Sequence, residues 1–328
     1  MSHSNATILD LSRVATRLVR DEVLPRARKA LLRPKNGEAS ASDPRIKDTM
    51  QRYWRSLGHG DATSEYFFRD AMASEEYDDV VRLAQENWGT LAGKRVLDLG
   101  CGWGGLSVAL RRVGVDPIFV DYIDKHVEVA RLRVRSETGY VGDARDLSAL
   151  DAQLGTGYDY VFVHSLIEHV GNQPTHRGPA TPSLNDKRAV IQQAARLVKP
   201  GGGVFISTGN YNTPLDGEIK TWLFHWLPPE DQQQSLDEMG IGADNYGLLT
   251  WEQLESLCTG SGLVTERVVT GDNGGYEMFL QLLSFISRFH PHRPKLPPGM
   301  IKRIRHRMDT DPRYMPVWYA FFRKRQHG

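Results

Sequence analysis

Residues 96–110, VLDLGCGWGGLSVAL, carry an apolar strand into a turn with four glycines and out again into an amphipathic helix. Gly100, Gly102 and Gly104 lack a Cβ, so the backbone there reverses sharply and comes close to whatever it binds. A helix starting near Gly104 points free N–H groups and the positive end of its dipole into the turn, which suits an anionic ligand group. Asp121 ends the next apolar stretch, twenty-one residues after Gly100. An acidic side chain at that place is positioned to grip two ribose hydroxyls. Gly100, Gly102 and Gly105 also satisfy the spacing GxGxxG, so the turn by itself leaves a dinucleotide open.

From Lys94 onward, short apolar runs alternate with helical patterns. Strands are expected at 95–100, 117–122, 139–143, 158–165, 202–209, 263–270 and 316–325, and helices at 104–113, 124–136, 146–151, 185–198 and 250–262. Alternation of this kind predicts an α/β fold with a parallel sheet and right-handed crossovers. Ahead of it, helices are expected over 8–32, from about Ile46 through Trp54, and over 74–88 with Ser74 as cap, with a linker from Pro34 to Pro44. The expected organisation is therefore an N-terminal helical cap, 1–89, and a second domain, 90–328. Two insertions interrupt the second domain, at 210–249 and 271–315, and long insertions of this kind are usually lids or binding loops.

Charge narrows the classes of partner. The chain of 328 residues balances 41 Lys and Arg against 40 Asp and Glu, which argues against a uniformly basic nucleic-acid binder. Residues 1–35 hold eight basic and three acidic side chains and residues 288–328 eleven and two, leaving the middle at −13. Basic ends fit either a peripheral contact with an anionic membrane, a phosphorylated substrate, or folding onto the acidic body. Cys101 and Cys258 are too few for a disulfide scaffold, no apolar run is long enough to span a bilayer, and the N-terminus lacks the apolar core of a signal peptide. A cytoplasmic setting is the expectation.

The stretch 96–110 resembles motif I of the class I S-adenosylmethionine-dependent methyltransferases, with Asp98 at the acidic position two before the first glycine. The resemblance continues through Asp121, the Gly142-Asp143-Ala144 turn, YDYVFVHSLIEHVG (158–171), RLVKPGGGVFIST (196–208) and LTWEQLESLCTGSGL (249–263). It implies a Rossmann-like fold with a mostly parallel seven-stranded sheet, helices on both faces and an antiparallel last strand. It implies S-adenosyl-L-methionine as cofactor, with Asp98 on the methionine amino group and Asp121 on the ribose. Tyr122 or Ile123 would pack on adenine and Asp143, beside Ala144, would accept from its exocyclic amine. Gly100, Cys101, Gly102 and Gly104 would form the turn around the ligand, Cys101 as a small turn residue.

Methyl transfer to a hydroxyl also needs a proton removed. His164, Glu168 and His169 lie just after the fourth strand, and His169 is the first choice for general base, with Glu168 orienting it or the substrate. The same three side chains suit a divalent metal. Some quinone-pathway O-methyltransferases of the family place an acidic residue three before the Glu-His pair, where this chain has Ser165, so no metal is expected. Asn210, Trp222, His225 and Trp226 in the first insertion offer flat faces and hydrogen bonds suited to a sugar ring, so O-methylation of a saccharide or small-molecule hydroxyl is the expected reaction. GCGWGG (100–105) also resembles motif I of cyclopropane fatty acid synthases, which leaves a lipid-modifying enzyme as an alternative, beside a non-catalytic cofactor-binding subunit.

Overall fold

Alternate residues along the central strands face opposite sides of the sheet, and here both sides are apolar. Leu97 and Leu99, Val161 and Val163, Val204 and Ile206 bury against one layer of helices, whereas Val96, Phe162 and Phe205 bury against another. A parallel sheet covered on both faces needs this double apolar pattern. The computed structural model describes residues 43–58, 60–72, 75–171, 183–209, 249–269, 306, 310 and 317–326. The helix expected over 8–32 and nearly all of the insertions at 210–249 and 271–315 lie outside the described residues.

The described elements begin with three helices, α1 (Pro44–Ser56), α2 (Asp61–Met72) and α3 (Glu75–Trp88). The alternating region follows as β1 (Val96–Leu99), α4 (Gly105–Arg112), β2 (Ile118–Asp121), α5 (Asp124–Val134), β3 (Gly139–Val141), a 3-10 turn (Ser148–Leu150), α6 (Asp151–Leu154) and β4 (Tyr158–His164). A second 3-10 turn (Ile167–His169) precedes α7 (Leu184–Leu197), β5 (Val198–Gly209), α8 (Trp251–Gly260), β6 (Leu263–Val268) and β7 (Val317–Lys324). The sheet order is β3-β2-β1-β4-β5-β7-β6. β1 runs parallel to β2 and β4, with Leu97 opposite both Ile118 and Val161, whereas β7 runs antiparallel to β5 and β6. This is the expected mostly parallel, seven-stranded sheet with an antiparallel last strand.

Caps define several helix starts. Asp43 accepts from the Arg45 N–H ahead of Pro44, Ser183 accepts from the Asp186 N–H, and Thr250 and Gln253 form a reciprocal capping box. Such caps satisfy N–H groups that have no partner inside the helix. Ser74, the expected cap of α3, lies outside the described residues.

Two expectations change. The helix expected at 146–151 is a 3-10 turn that runs into one turn of α-helix. The Lys199-Pro200-Gly201-Gly202 run does not precede β5 but bulges within it: Tyr158 pairs with Val198 and Tyr160 with Gly203. α3 packs onto the sheet: Val80, Val81, Leu83 and Ala84 share one buried cluster with Val96, Leu106, Phe162, Phe205 and Phe321. Among the described residues no helix is long and apolar enough to cross a membrane.

Candidate active site

The chain lays β1, β2 and β3 outward in one direction and then crosses over to place β4 on the other side of β1. Ligands bind at such a reversal, beyond the carboxyl ends of the strands. The glycine turn after β1 and the loop after β4 meet there. A Cβ on Gly100 would stand 2.8 Å from the Leu166 side chain, so only glycine lets the two segments close on each other. Gly100, Gly102 and Gly104 adopt φ of +83°, +50° and +81°, where L side chains are strained. The Gly100 and Cys101 N–H groups both donate to the Val120 carbonyl, at 2.8 and 2.9 Å, tying the turn to β2. Above Gly102 nothing lies within 4 Å of where a Cβ would be, which leaves room over the turn for a ligand.

Asp121 closes the turn from the other side. Its carboxylate accepts from the Gly102 N–H at 2.9 Å on one oxygen, and from the Ile123 N–H at 2.9 Å on the other. His126 Nδ1 lies 3.2 Å from that second oxygen. Asp98, only 1 % exposed, accepts from Ser107 Oγ at 2.7 Å. Burial pushes its carboxyl up to about 7, with the neighbouring Asp121 charge adding to the effect and the Ser107 bond opposing it. Among the described residues no ion pair reaches Asp98, and a buried carboxylate of this kind is what a ligand ammonium group stabilises. Tyr122, immediately after Asp121, is 71 % exposed on the same edge of the sheet.

Asp143 is engaged otherwise than expected. The Arg145 guanidinium grips both of its oxygens, at 2.6 to 3.0 Å, and the Arg145 N–H donates to it at 2.9 Å. These bonds hold its carboxyl below the usual range against the opposing effect of partial burial. An adenine amine would therefore have to share this acid with Arg145. Ala144 beside it is buried.

The triad after β4 splits. His164, the last residue of β4, is buried, with its Nδ1 2.5 Å from Ser207 Oγ and its ring edge-on to Tyr77 at 5.6 Å. Glu168 is buried too, and burial raises its carboxyl above the ordinary value, opposed by Thr208, His164 and Lys187. His169 is exposed. Glu168 thus lies within electrostatic reach of His164 and Lys187. Ser165 between them holds φ of +48°, an uncommon conformation for a residue with a Cβ.

Several residues at this edge are invisible to sequence reasoning. The ring of Tyr77, from α3, fills the space that a Cβ on Gly105 would need, at 2.2 Å or more. Tyr53 and Trp54 from α1 pack edge-on or tilted against Trp103 of the glycine turn, and Trp103 packs against His126 at 4.2 Å. The buried Lys187 donates from Nζ to the Ile167 and Val170 carbonyls at 2.5 and 2.9 Å, anchoring the loop after β4. His126, in the first turn of the helix after Asp121, is the one that spacing could have suggested, though it is not among the expected site residues; the others are long-range. Asn210, Trp222, His225 and Trp226 lie outside the described residues.

The family model described as a methyltransferase domain matches residues 68–262, more than half of the chain. The chain belongs to the class I S-adenosylmethionine-dependent methyltransferases. S-Adenosylmethionine is accordingly the methyl donor, and the buried Asp98, the clasped Asp121 and the open space above Gly102 fit it. This methyltransferase is 42% identical over 177 residues to a protein of Dechloromonas aromatica named ubiquinone biosynthesis O-methyltransferase, a match over 51% of this chain and 66% of that protein. It is 37% identical over 130 residues to a protein of Bordetella avium of the same name, over 39% and 48% of the two chains. The similarity thus spans about half to two thirds of the length of these relatives. Among solved structures, the magnesium protoporphyrin IX methyltransferase of Synechocystis PCC 6803 aligns over 95% of this chain and 99% of its own, at 13% identity and a TM-score of 0.47.

Proposed function

We propose that this methyltransferase methylates a hydroxyl group on an aromatic ring, of the kind carried by quinone precursors. The observation that carries the reading is the place of Glu168, a carboxyl buried in the loop that closes on the glycine turn through Leu166 and Gly100. The names of the relatives, all ubiquinone biosynthesis O-methyltransferases, support oxygen as the acceptor atom and an aromatic ring as its carrier. They favour this acceptor over the saccharide expected from the aromatic insertion. Those insertion residues, Asn210, Trp222, His225 and Trp226, contribute nothing to the reading here.

The cofactor, when bound, supplies an electrophilic methyl group on a sulfonium. What this chain supplies is alignment, a dry site and a base. Asp121 and the Gly102 turn fix one end of the donor, and Asp98 fixes the other. Phenolic hydroxyls titrate at ~10, and burial raises the Glu168 carboxyl above its ordinary value, which makes it a stronger base than a free carboxylate. We assign proton removal to Glu168, in place of His169, with His164 and Lys187 shaping its charge. His169, exposed on the same turn, is the second candidate.

The test begins with titration calorimetry of S-adenosylmethionine, S-adenosylhomocysteine and NAD. Both sulfur nucleotides should bind and NAD should not. Methyl transfer is then followed by mass spectrometry with a catechol as probe acceptor and, separately, with phospholipid vesicles. Methylated catechol with Glu168→Gln at least ~100-fold slower and His169→Ala little changed supports the assignment. Reversal of those two effects restores His169 as base. Modification of the lipid alone would favour the cyclopropane-synthase-like alternative, and binding without transfer the non-catalytic one.

A further inference from the structure

Asp121 receives two of its hydrogen bonds from backbone N–H groups and one from a side chain, His126. The backbone donors follow from the path of the chain. The third is a separate provision, and several features indicate what it does. An ionised carboxylate only accepts hydrogen bonds, so Nδ1 must carry the proton and donate. Asp121 is nearly buried, and its charge already disfavours ionisation of the neighbouring Asp98. A donor aimed at Asp121 holds the carboxylate in one orientation. The donor is itself held: the His126 ring packs edge-on against Trp103 at 4.2 Å and against Tyr53 at 5.5 Å. Tyr53 belongs to α1, outside the strand-helix alternation, and α1 packs across α5.

We infer that His126 is a positioning residue for Asp121, and that α1 contributes to cofactor affinity through the Tyr53–Trp103–His126 contact. This rests on the reading of Asp121 as the ribose-binding acid. His126 touches no reacting atom, so it acts on cofactor binding and not on the chemical step.

Two substitutions separate the hydrogen bond from the packing. His126→Phe keeps a ring against Trp103 and Tyr53 but removes the donor. His126→Asn removes the ring but places an amide N–H the same number of bonds from Cβ as Nδ1. Calorimetric titration with S-adenosylhomocysteine is the readout, after thermal unfolding without ligand has shown each variant folded. The expected result is a Kd raised about tenfold in His126→Phe, within about threefold of wild type in His126→Asn, and no further loss when His126→Phe is added to Asp121→Asn. Wild-type affinity in His126→Phe would overturn the inference, as would an equal loss in both variants, since supplying the donor from Asn would then restore nothing. Failure of the wild type to bind would instead overturn the cofactor reading, and this inference with it. Should His126→Phe fail to fold, the Asn variant decides, since an affinity loss of tenfold there would also overturn the role of the donor.

Discussion

Asp98 shows how much a single buried acid decides. An aspartate in the unfolded chain titrates near ~3.9, whereas in the fold burial lifts Asp98 to about 7. The folded protein therefore holds this proton more tightly than the unfolded chain does. The stabilisation is complete below the unfolded value and is lost as the pH rises through about 7. A ligand ammonium group reverses the preference, since it favours the carboxylate. Affinity for S-adenosylhomocysteine should thus increase between pH 6 and 8, and Asp98→Asn should flatten the increase, as calorimetry at several pH values will show. The glycines of the turn separate in a similar way. Gly104→Ala combines a left-handed backbone with a Cβ 2.8 Å from Ala130, whereas Gly102→Ala has the backbone strain and open space. Gly104→Ala should lower stability in urea well beyond the ~1–2 kcal/mol of the conformation itself. Gly102→Ala should lose about that amount and also weaken cofactor binding, because its methyl group projects into the space above the turn.

Among the elements, the loop after β4 depends most on one contact. Lys187 reaches from α7 to the carbonyls of Ile167 and Val170, and its burial lowers the ammonium to about 8. Lys187→Met would leave two carbonyls without their donor, at a cost of roughly 2–4 kcal/mol. Limited proteolysis should then cut near residues 165–171 sooner, with the urea midpoint reduced. By comparison, Thr250→Ala removes only a capping box from α8 and should cost about 1 kcal/mol, read from the same urea titration. The strands of this region were legible because period-2 runs such as Tyr158–His164 are buried on both faces and flanked by glycine or proline. The motif around Asp98, Gly102 and Asp121 was legible because its residues are consecutive or one crossover apart. Lys187 was not, because a lysine in an amphipathic helix reads as solvated; nothing local announces that its Nζ meets a turn twenty residues away. α2 was missed for a related reason: its sequence, DATSEYFFRDAM, has neither a strong apolar stripe nor a cap signal. The burial of Glu168 beside an exposed His169 was not legible either, because adjacency in sequence says nothing about which way a 3-10 turn points each side chain.

For the whole molecule, the helices ahead of the sheet belong to the cofactor site as much as the strands do. Tyr77 from α3 closes over Gly105, and Tyr53 from α1 meets Trp103 and His126 beside Asp121. Ligand binding to the folded state alone adds about 2.7 kcal/mol at a hundredfold excess over Kd. That gain should be shared by α1 and not confined to the glycine turn. Hydrogen exchange in the presence of saturating S-adenosylhomocysteine should therefore slow over 44–56 as well as over 98–106. Protection limited to the turn would show α1 to be a bystander.

The position of β7 has a consequence for the order of events during synthesis. β6 hydrogen-bonds, among the described residues, to β7 and to no other strand, and β7 lies between it and β5. Until residues 317–324 have left the ribosome, β5 therefore presents an open edge and β6 has nothing to pair with. The five parallel strands can assemble as they emerge, but the outer third of the sheet must wait as loose chain. A nascent chain of this topology carries an adhesive β5 edge from the time β5 forms until β7 emerges, and that interval, not the finished fold, is when edge-to-edge association is open to it.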